Sequence, residues 1–214
     1  MNAAVLGLGR FGTQIARELM RLGVDVLAVD QNPALVNDLA EEVLFAAEGN
    51  LTDVEFLESL ALGDYDYVIV AIGSDVATSV LITLTLKQRM HLRHVAAKTG
   101  SDDHTRALEL AGADVIVNPE KESAVRLAHT LGSRSVSDYM SVQADYGIAK
   151  VKAPTGAHNI RIGDIDVQDR FKVFFVARVR DGSITFNPEL NDVVQSNDLW
   201  IVAGRDEDIA HLQR

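Results

Sequence analysis

The sequence predicts an α/β fold, a doubly wound parallel sheet followed by a small α+β domain. Three observations carry that expectation. From Asn2 to Leu131, short apolar runs alternate with amphipathic ones, the signature of strand–helix–strand units. A glycine fingerprint, "GLGRFG" at residues 7–12, separates the first apolar run from the first amphipathic one. From residue 133 onward the rhythm changes to short apolar strands bounded by Gly, Asp, Asn and Pro.

Taken in order, strands are expected at 3–8, 25–30, 42–47, 66–72, 94–98 and 114–118. Helices are expected near 11–22, 33–41, 53–61, 75–90, 102–111 and 120–131. Pro33 and Pro119 suit helix starts, and Gly23, Gly63 and Gly112 suit helix ends. Six strands with helical crossovers make a complete Rossmann-type sheet, so a first domain is expected over 1–132. The stretch "GSRSVSDYMS" (132–141) marks the break, and a second domain is expected over 133–214. Its strands are read at "YGIAKVKA", "KVFFVARVR", "SITFN" and "LWIVAG", with a closing helix at "DEDIAHLQ" (206–213). Helix 75–90 is apolar nearly all round, through Val76, Val80, Leu81, Ile82, Leu84 and Leu86. A surface helix shows one apolar stripe, so a second covered face is expected here. Another subunit is the favoured cover and the second domain the alternative.

Composition narrows the function. The 214 residues carry 20 Lys+Arg against 31 Asp+Glu, a net charge of −11, which lacks the basic footprint of a nucleic-acid binder. The charge is uneven, with −9 of it in residues 1–132. No cysteine is present, which excludes disulfides and thiolate zinc sites. No apolar run reaches membrane-spanning length and no leader is recognised, so a cytoplasmic location is expected. His91 and His94 straddle a helix end and a strand start, and the six histidines form no metal constellation. Neither a nucleophile elbow nor a P-loop occurs, and no catalytic residue is assigned.

The candidate site is the fingerprint and the strand ends around it. Gly7, Gly9 and Gly12 allow a pyrophosphate to approach the backbone at a helix N-terminus. Arg10 stands inside the fingerprint, where its fork of donors suits an additional anionic charge, and Phe11 follows it. Asp30 ends the second strand, where an acid accepts hydrogen bonds from ribose hydroxyls and repels a 2′-phosphate, disfavouring NADP; Gln31 follows it. In open α/β sheets ligands lie beyond the carboxyl ends of the strands. That rule places Asn50, Leu51 and Thr52 (after strand three), Ala71, Ile72 and Gly73 (after strand four) and Lys98 (after strand five) near the ligand. Lys98 could neutralise phosphate or be a solvated strand-end lysine. For Glu120, at a helix start, a macrodipole-favoured acid is the plain reading.

Together "GLGRFG", "VLAVD", "AIG", a strand ending in Lys98, "GAD" and "PEK" resemble the RCK (KTN) family, and more narrowly the cytosolic regulatory subunits of Trk/Ktr-type bacterial potassium uptake systems. The latter part, with Pro188, Asp198 and a closing Val-x-Gly, is similar to the RCK C-terminal domain. The resemblance implies homodimers assembled into a ring, commonly an octamer, held at the inner face of the membrane under a potassium-translocating subunit. It implies ATP, ADP or NAD(H) in the cleft, with phosphates at Gly7, Gly9, Arg10 and Gly12, ribose at Asp30, and adenine near Asn50, Leu51 and Thr52. Arg10 then faces the terminal phosphates. Glu120 matches a glutamate at which Mg²⁺ or Ca²⁺ binds with ATP across a dimer. Some relatives bind cyclic di-AMP through an arginine in a D-x-R segment. Here the segment is Asp166-Val167-Gln168, and the guanidinium is missing. The competing function is an NAD-dependent oxidoreductase. It needs a proton donor or acceptor near the nicotinamide, and the second domain supplies no candidate.

Overall fold

The computed structural model describes residues 1–212, and the chain divides into two compact units, Met1–Pro119 and Glu120–Arg214. In the first unit the strands are β1 (Asn2–Leu6), β2 (Asp25–Asp30), β3 (Phe45–Glu48), β4 (Tyr67–Val70), β5 (Val95–Lys98) and β6 (Val115–Val117). They pair in parallel in the order β3-β2-β1-β4-β5-β6, the doubly wound arrangement expected, with its switch point between β1 and β4. The connecting helices are α1 (Arg10–Arg21), α2 (Pro33–Leu39), α3 (Val54–Ser59), α4 (Val76–Leu84) and α5 (Asp102–Ala111).

The central strands β1, β2 and β4 are apolar between their ends because both faces of the sheet are covered there. Ala4, Leu6, Val29, Val68 and Val70 face one layer, packed with Ile82, Leu86 and Leu108. Ala3, Val5, Val26, Ala28 and Ile69 face the other, packed with Ala16, Val36 and Leu39. Each large aliphatic side chain buried this way contributes roughly 1.5–3 kcal/mol.

Local signals set the boundaries. Asn32, Asp53, Asp75 and Ser101 cap α2 to α5 by accepting backbone N–H groups, and Pro33 opens α2. Gly112 closes α5 in the left-handed conformation, at φ +96°. Gly63 does not close α3. Ala61 takes the left-handed conformation there, at φ +51°, and Gly63 lies in the 3-10 turn that follows. The helix expected at 75–90 is α4 plus one π-turn, Thr85–Arg89, whose Lys87 Nζ reaches both Asp114 oxygens at 2.9 and 3.0 Å. Val76, Leu81 and Leu84 are exposed, so the second face of this helix is apolar and uncovered in the single chain.

The division into units falls at the start of helix α6 (Pro119–Gly132), whereas the sequence suggested a boundary after it. The reason is visible in what α6 holds. Arg126 pairs with Asp138 at 2.8 Å, and the His129 ring stacks on Tyr139 with centroids 3.8 Å apart. Both partners belong to the second unit.

That unit is a five-stranded antiparallel sheet of β7 (Val136–Gln143), β8 (Tyr146–Lys152), β9 (Phe174–Arg180), β10 (Ser183–Phe186) and β11 (Leu199–Arg205), in the order β10-β9-β11-β8-β7. The short helices are α7 (Val167–Phe171) and α8 (Asp206–His211). Its core centres on Trp200, which meets Phe175 and Phe171 edge-on at 5.1 and 6.1 Å. The sequence missed β7, read as a junction, and α7. Gln213, in the expected closing helix, lies outside the described residues. Among the described residues no helix is long and apolar enough to cross a membrane.

Candidate nucleotide site

The site is built where β1 hands over to α1. Gly7 adopts φ +98°, and a Cβ there would stand 2.8 Å from Ile72 Cγ1. At Gly12 a Cβ would lie 1.8 Å from the Gly7 carbonyl oxygen, so α1 rests on its own entry loop and no side chain fits between. Gly9 is the N-cap of α1, with open space where its Cβ would point. Gly7 and Gly12 thus require glycine in this fold, and at Gly9 the absent side chain leaves the helix end open.

The N-terminus of α1 differs from those of its neighbours. Gly9 provides no side-chain cap and the first turn holds no acid, whereas α2 to α5 each carry a capping side chain. Unsatisfied N–H groups and the positive end of the helix dipole therefore face the strand ends. Arg10, the first helical residue, is exposed beside them.

Asp30 does more than the sequence reading assigned to it. Its Oδ2 accepts the Leu8 N–H at 2.6 Å and its Oδ1 accepts the Asn32 N–H at 2.8 Å. The carboxylate thus clips the Gly7–Gly9 loop to the end of β2. Each oxygen has lone pairs left for further donors. Thr13 Oγ1 donates to the Leu8 carbonyl at 2.8 Å, which fixes the same loop from the helix side. Gln31 is exposed next to Asp30.

The other strand ends gather around this loop. The Gly49 N–H donates to the Asp30 carbonyl at 3.1 Å, bringing the β3 end alongside. Asn50 Oδ1 accepts from both the Thr52 N–H and its hydroxyl, at 3.0 and 2.8 Å. Leu51 buries its side chain in the core, so only its backbone is available to a ligand. Ala71 donates its N–H to the Leu6 carbonyl and sets its methyl group against Gly12. The Lys98 chain lies across Gly73, and its Nζ sits 5.8 Å from the centre of the Phe11 ring. The structure therefore brings Gly7, Gly12, Phe11, Asp30, Ala71, Ile72, Gly73 and Lys98 together in the first unit.

Glu120 belongs to the other unit. It lies in the first turn of α6, at the start of the second unit, with Glu122 beside it. Among the described residues no cluster of three or more His, Cys, Asp or Glu is arranged to hold a metal.

Sequence reasoning missed the Leu8–Asp30 clip. The spacing of Asp30 from the fingerprint gave the position, but a side chain that reaches back to the loop requires the sheet register that sets β1 beside β2.

Comparison with known proteins agrees with this geometry. The TrkA-N domain model matches residues 3–119. The Ktr system potassium uptake protein C of Bacillus subtilis (strain 168) is 34% identical over 211 residues, covering 99% of this chain and 95% of that protein. The Ktr system potassium uptake protein A of the same organism is 34% identical over 210 residues, covering 98% and 94%. In fold the chain is similar to the solved RCK domain of GsuK, at TM-score 0.67 and 20% identity, over 99% of this chain and 46% of that one. A fingerprint domain at residues 3–119 and full-length likeness to Ktr potassium uptake proteins place the chain in the TrkA-N family.

Proposed function

We propose that the chain is the nucleotide-sensing regulatory subunit of a Ktr-type potassium uptake system, with no catalytic step of its own. The observation that carries this reading is the uncapped N-terminus of α1 with Arg10 on it, facing a loop already fixed by Asp30. A helix end left open in this way suits a phosphate. The likeness to two Ktr proteins over nearly their full lengths supplies the transport context.

The nucleotide is ATP or ADP, with NAD(H) as the further candidate. Its phosphates lie at Gly7, Gly9, Arg10 and Gly12 and its ribose at Asp30. Lys98 adds a second cation. Asn50, Leu51 and Thr52 border the adenine, Leu51 through its backbone. A divalent cation, Mg²⁺ or Ca²⁺, joins ATP at Glu120 in a homodimer. Dimers build a ring, octameric in this reading, and the ring acts at the cytoplasmic face of the membrane on the potassium-translocating subunit. A ligand shifts a two-state ring only through unequal affinity for its two shapes. The terminal phosphate on Arg10 and the cation on Glu120 are what ATP adds over ADP.

Calorimetry on nucleotide-stripped protein is expected to show ATP and ADP binding, and ATP rather than ADP is expected to raise K⁺ flux in liposomes holding both subunits. Equal flux with either nucleotide, or oxidation of NADH with a metabolite at an enzymatic rate, would overturn the reading. In Glu120→Gln, Mg²⁺ or Ca²⁺ should no longer tighten ATP binding. Unchanged tightening would reduce Glu120 to a helix-start acid.

A further inference from the structure

Behind Lys98 lies a histidine that the nucleotide reading leaves unused. His104 sits in the first turn of α5, 1% exposed. Its Nδ1 accepts the Gly100 N–H at 3.3 Å, so in the neutral ring the proton is on Nε2. That nitrogen is buried and has no hydrogen-bond partner. A buried donor left unpaired costs on the order of 1–3 kcal/mol, so another demand keeps an imidazole here.

The demand is visible in the Thr99–Ser101 turn. Ser101 Oγ accepts the His104 N–H as the cap of α5, and the buried Thr99 hydroxyl donates to the Ser101 carbonyl at 2.9 Å. Thr105 Oγ1 stands 3.2 Å from the same hydroxyl. Gly100, held by His104, presses on Gly73: a Cβ on Gly100 would be 3.0 Å from the Gly73 carbonyl oxygen. Gly73 in turn supports the Lys98 chain, with a Cβ there 3.0 Å from Nζ. Lys98 Nζ ends over Phe11, inside the fingerprint. A hydrogen bond to Gly100, the close approach of Gly100 to Gly73 and the Lys98 chain over Gly73 lead stepwise from the buried imidazole to the candidate phosphate site.

We propose that His104 is a positioning residue of the nucleotide cleft, whose unprotonated Nδ1 holds the Gly100 turn and through it Gly73 and Lys98. Protonation at Nδ1 sets a donor against the Gly100 donor and leaves a cation in a buried site. The turn then lets go, and the lysine loses its support. The elements packed on α5 are α4 and β6. Their charged groups are Asp75 at the α4 cap and Lys87 and Arg89 in its π-turn, with none on β6. Lys98 ends β5, and α5 itself carries Asp102, Asp103, Arg106 and Glu109. Burial lowers the imidazole's affinity for a proton. Nucleotide affinity therefore falls with acid.

The inference rests on the nucleotide reading, and the test separates the two. ADP affinity is measured by calorimetry at pH 8 and pH 5.5 for the wild type and for His104→Asn, whose amide oxygen takes the place of Nδ1 and does not titrate. The nucleotide's own phosphate titration is common to both proteins. The wild type is expected to lose more affinity than the variant over this interval, by up to about tenfold, the ceiling that an ordinary imidazole value near 6.5 sets at pH 5.5. ADP binding with identical pH profiles overturns the role of His104 alone. No ADP binding at either pH overturns the nucleotide reading and this inference with it. Long-range ¹H–¹⁵N spectra of the wild type at pH 8 give a second reading that requires no variant to fold. An unprotonated Nδ1 on His104 supports the latch, and a protonated one overturns it.

Discussion

Two aspartates, one in each unit, show how the same side chain serves opposite ends. Asp30 in the first unit and Asp198 in the second each use both carboxylate oxygens, and each ties a loop to a strand. Asp198 is fully buried; Arg180 Nε and Nη2 donate to it at 2.6 and 2.7 Å, and the Gln195 N–H adds a third bond at 2.8 Å. Burial closes it to any donor from outside. Asp30 is only half-buried and takes two backbone N–H groups, with lone pairs remaining toward the strand ends. A carboxylate buried among its own chain's donors is a clasp. One that is fixed but half-exposed, beside an uncapped helix, remains open to further donors.

The largest expected effect tests the clasp. Asp198→Asn leaves the Arg180 guanidinium without its counter-charge, and removing one member of a buried pair costs about 3–5 kcal/mol. Urea unfolding should show that loss, while ADP affinity of the folded fraction stays unchanged. A variant within about 0.5 kcal/mol of wild type would make Asp198 as dispensable as an ordinary surface acid.

Next comes the open carboxylate. Asp30→Ala should weaken ATP and ADP alike, because both carry the ribose and both use the loop that Asp30 clips. Arg10→Ala should separate them. A charge-assisted hydrogen bond contributes roughly 1.5–3 kcal/mol, and the variant should lose it for ATP and keep ADP binding largely intact. Equal losses for both nucleotides in Arg10→Ala would remove the arginine from the terminal phosphate.

The comparison also extends to acid. Burial pushes the Asp198 carboxyl up, but the Arg180 hydrogen bonds, the Gln195 N–H and the charge of Arg180 outweigh it and leave it below the usual carboxylate range. Its contribution is complete above the unfolded value of about 3.9 and is lost as pH falls below that. His104 has its proton affinity lowered by burial, so its neutral form is favoured in the fold. That contribution is complete above about pH 6.5 and declines below it. Amide exchange at falling pH should therefore show the Thr99–Ser101 region losing protection before the second unit does. The reverse order would contradict both assignments.

The smallest effect is local. Ser101→Ala removes the cap of α5 and should cost about 1 kcal/mol. Thermal unfolding would detect it.

Much of this was legible in the sequence, and the exceptions share a cause. Both faces of the parallel sheet are buried, so its strands read as continuous apolar runs, and proline and capping residues mark most of the helix starts. The strand β7 escaped because its alternation is broken by irregularities at Val136/Asp138 and Ser141/Gln143, and its exposed positions mix serines with the apolar Met140 and Val142. The end of α3 misled because Ala61 accepts a left-handed backbone that glycine would take without strain. At the site, spacing found the glycines, Asp30 and Lys98. It gave no sign that Asp30 grips Leu8, or that His104 stands behind Gly100, because both depend on which strand ends lie side by side.

The clip from Asp30 to the Leu8 N–H has a consequence in time. A loop held in shape by its own chain does not have to reorganise around each arriving nucleotide, so little ordering entropy is lost at each exchange. One nucleotide can then replace another as fast as the first departs. A subunit built this way follows the nucleotide ratio around it closely, and what distinguishes one occupant from the next is left to the far end of the phosphate chain.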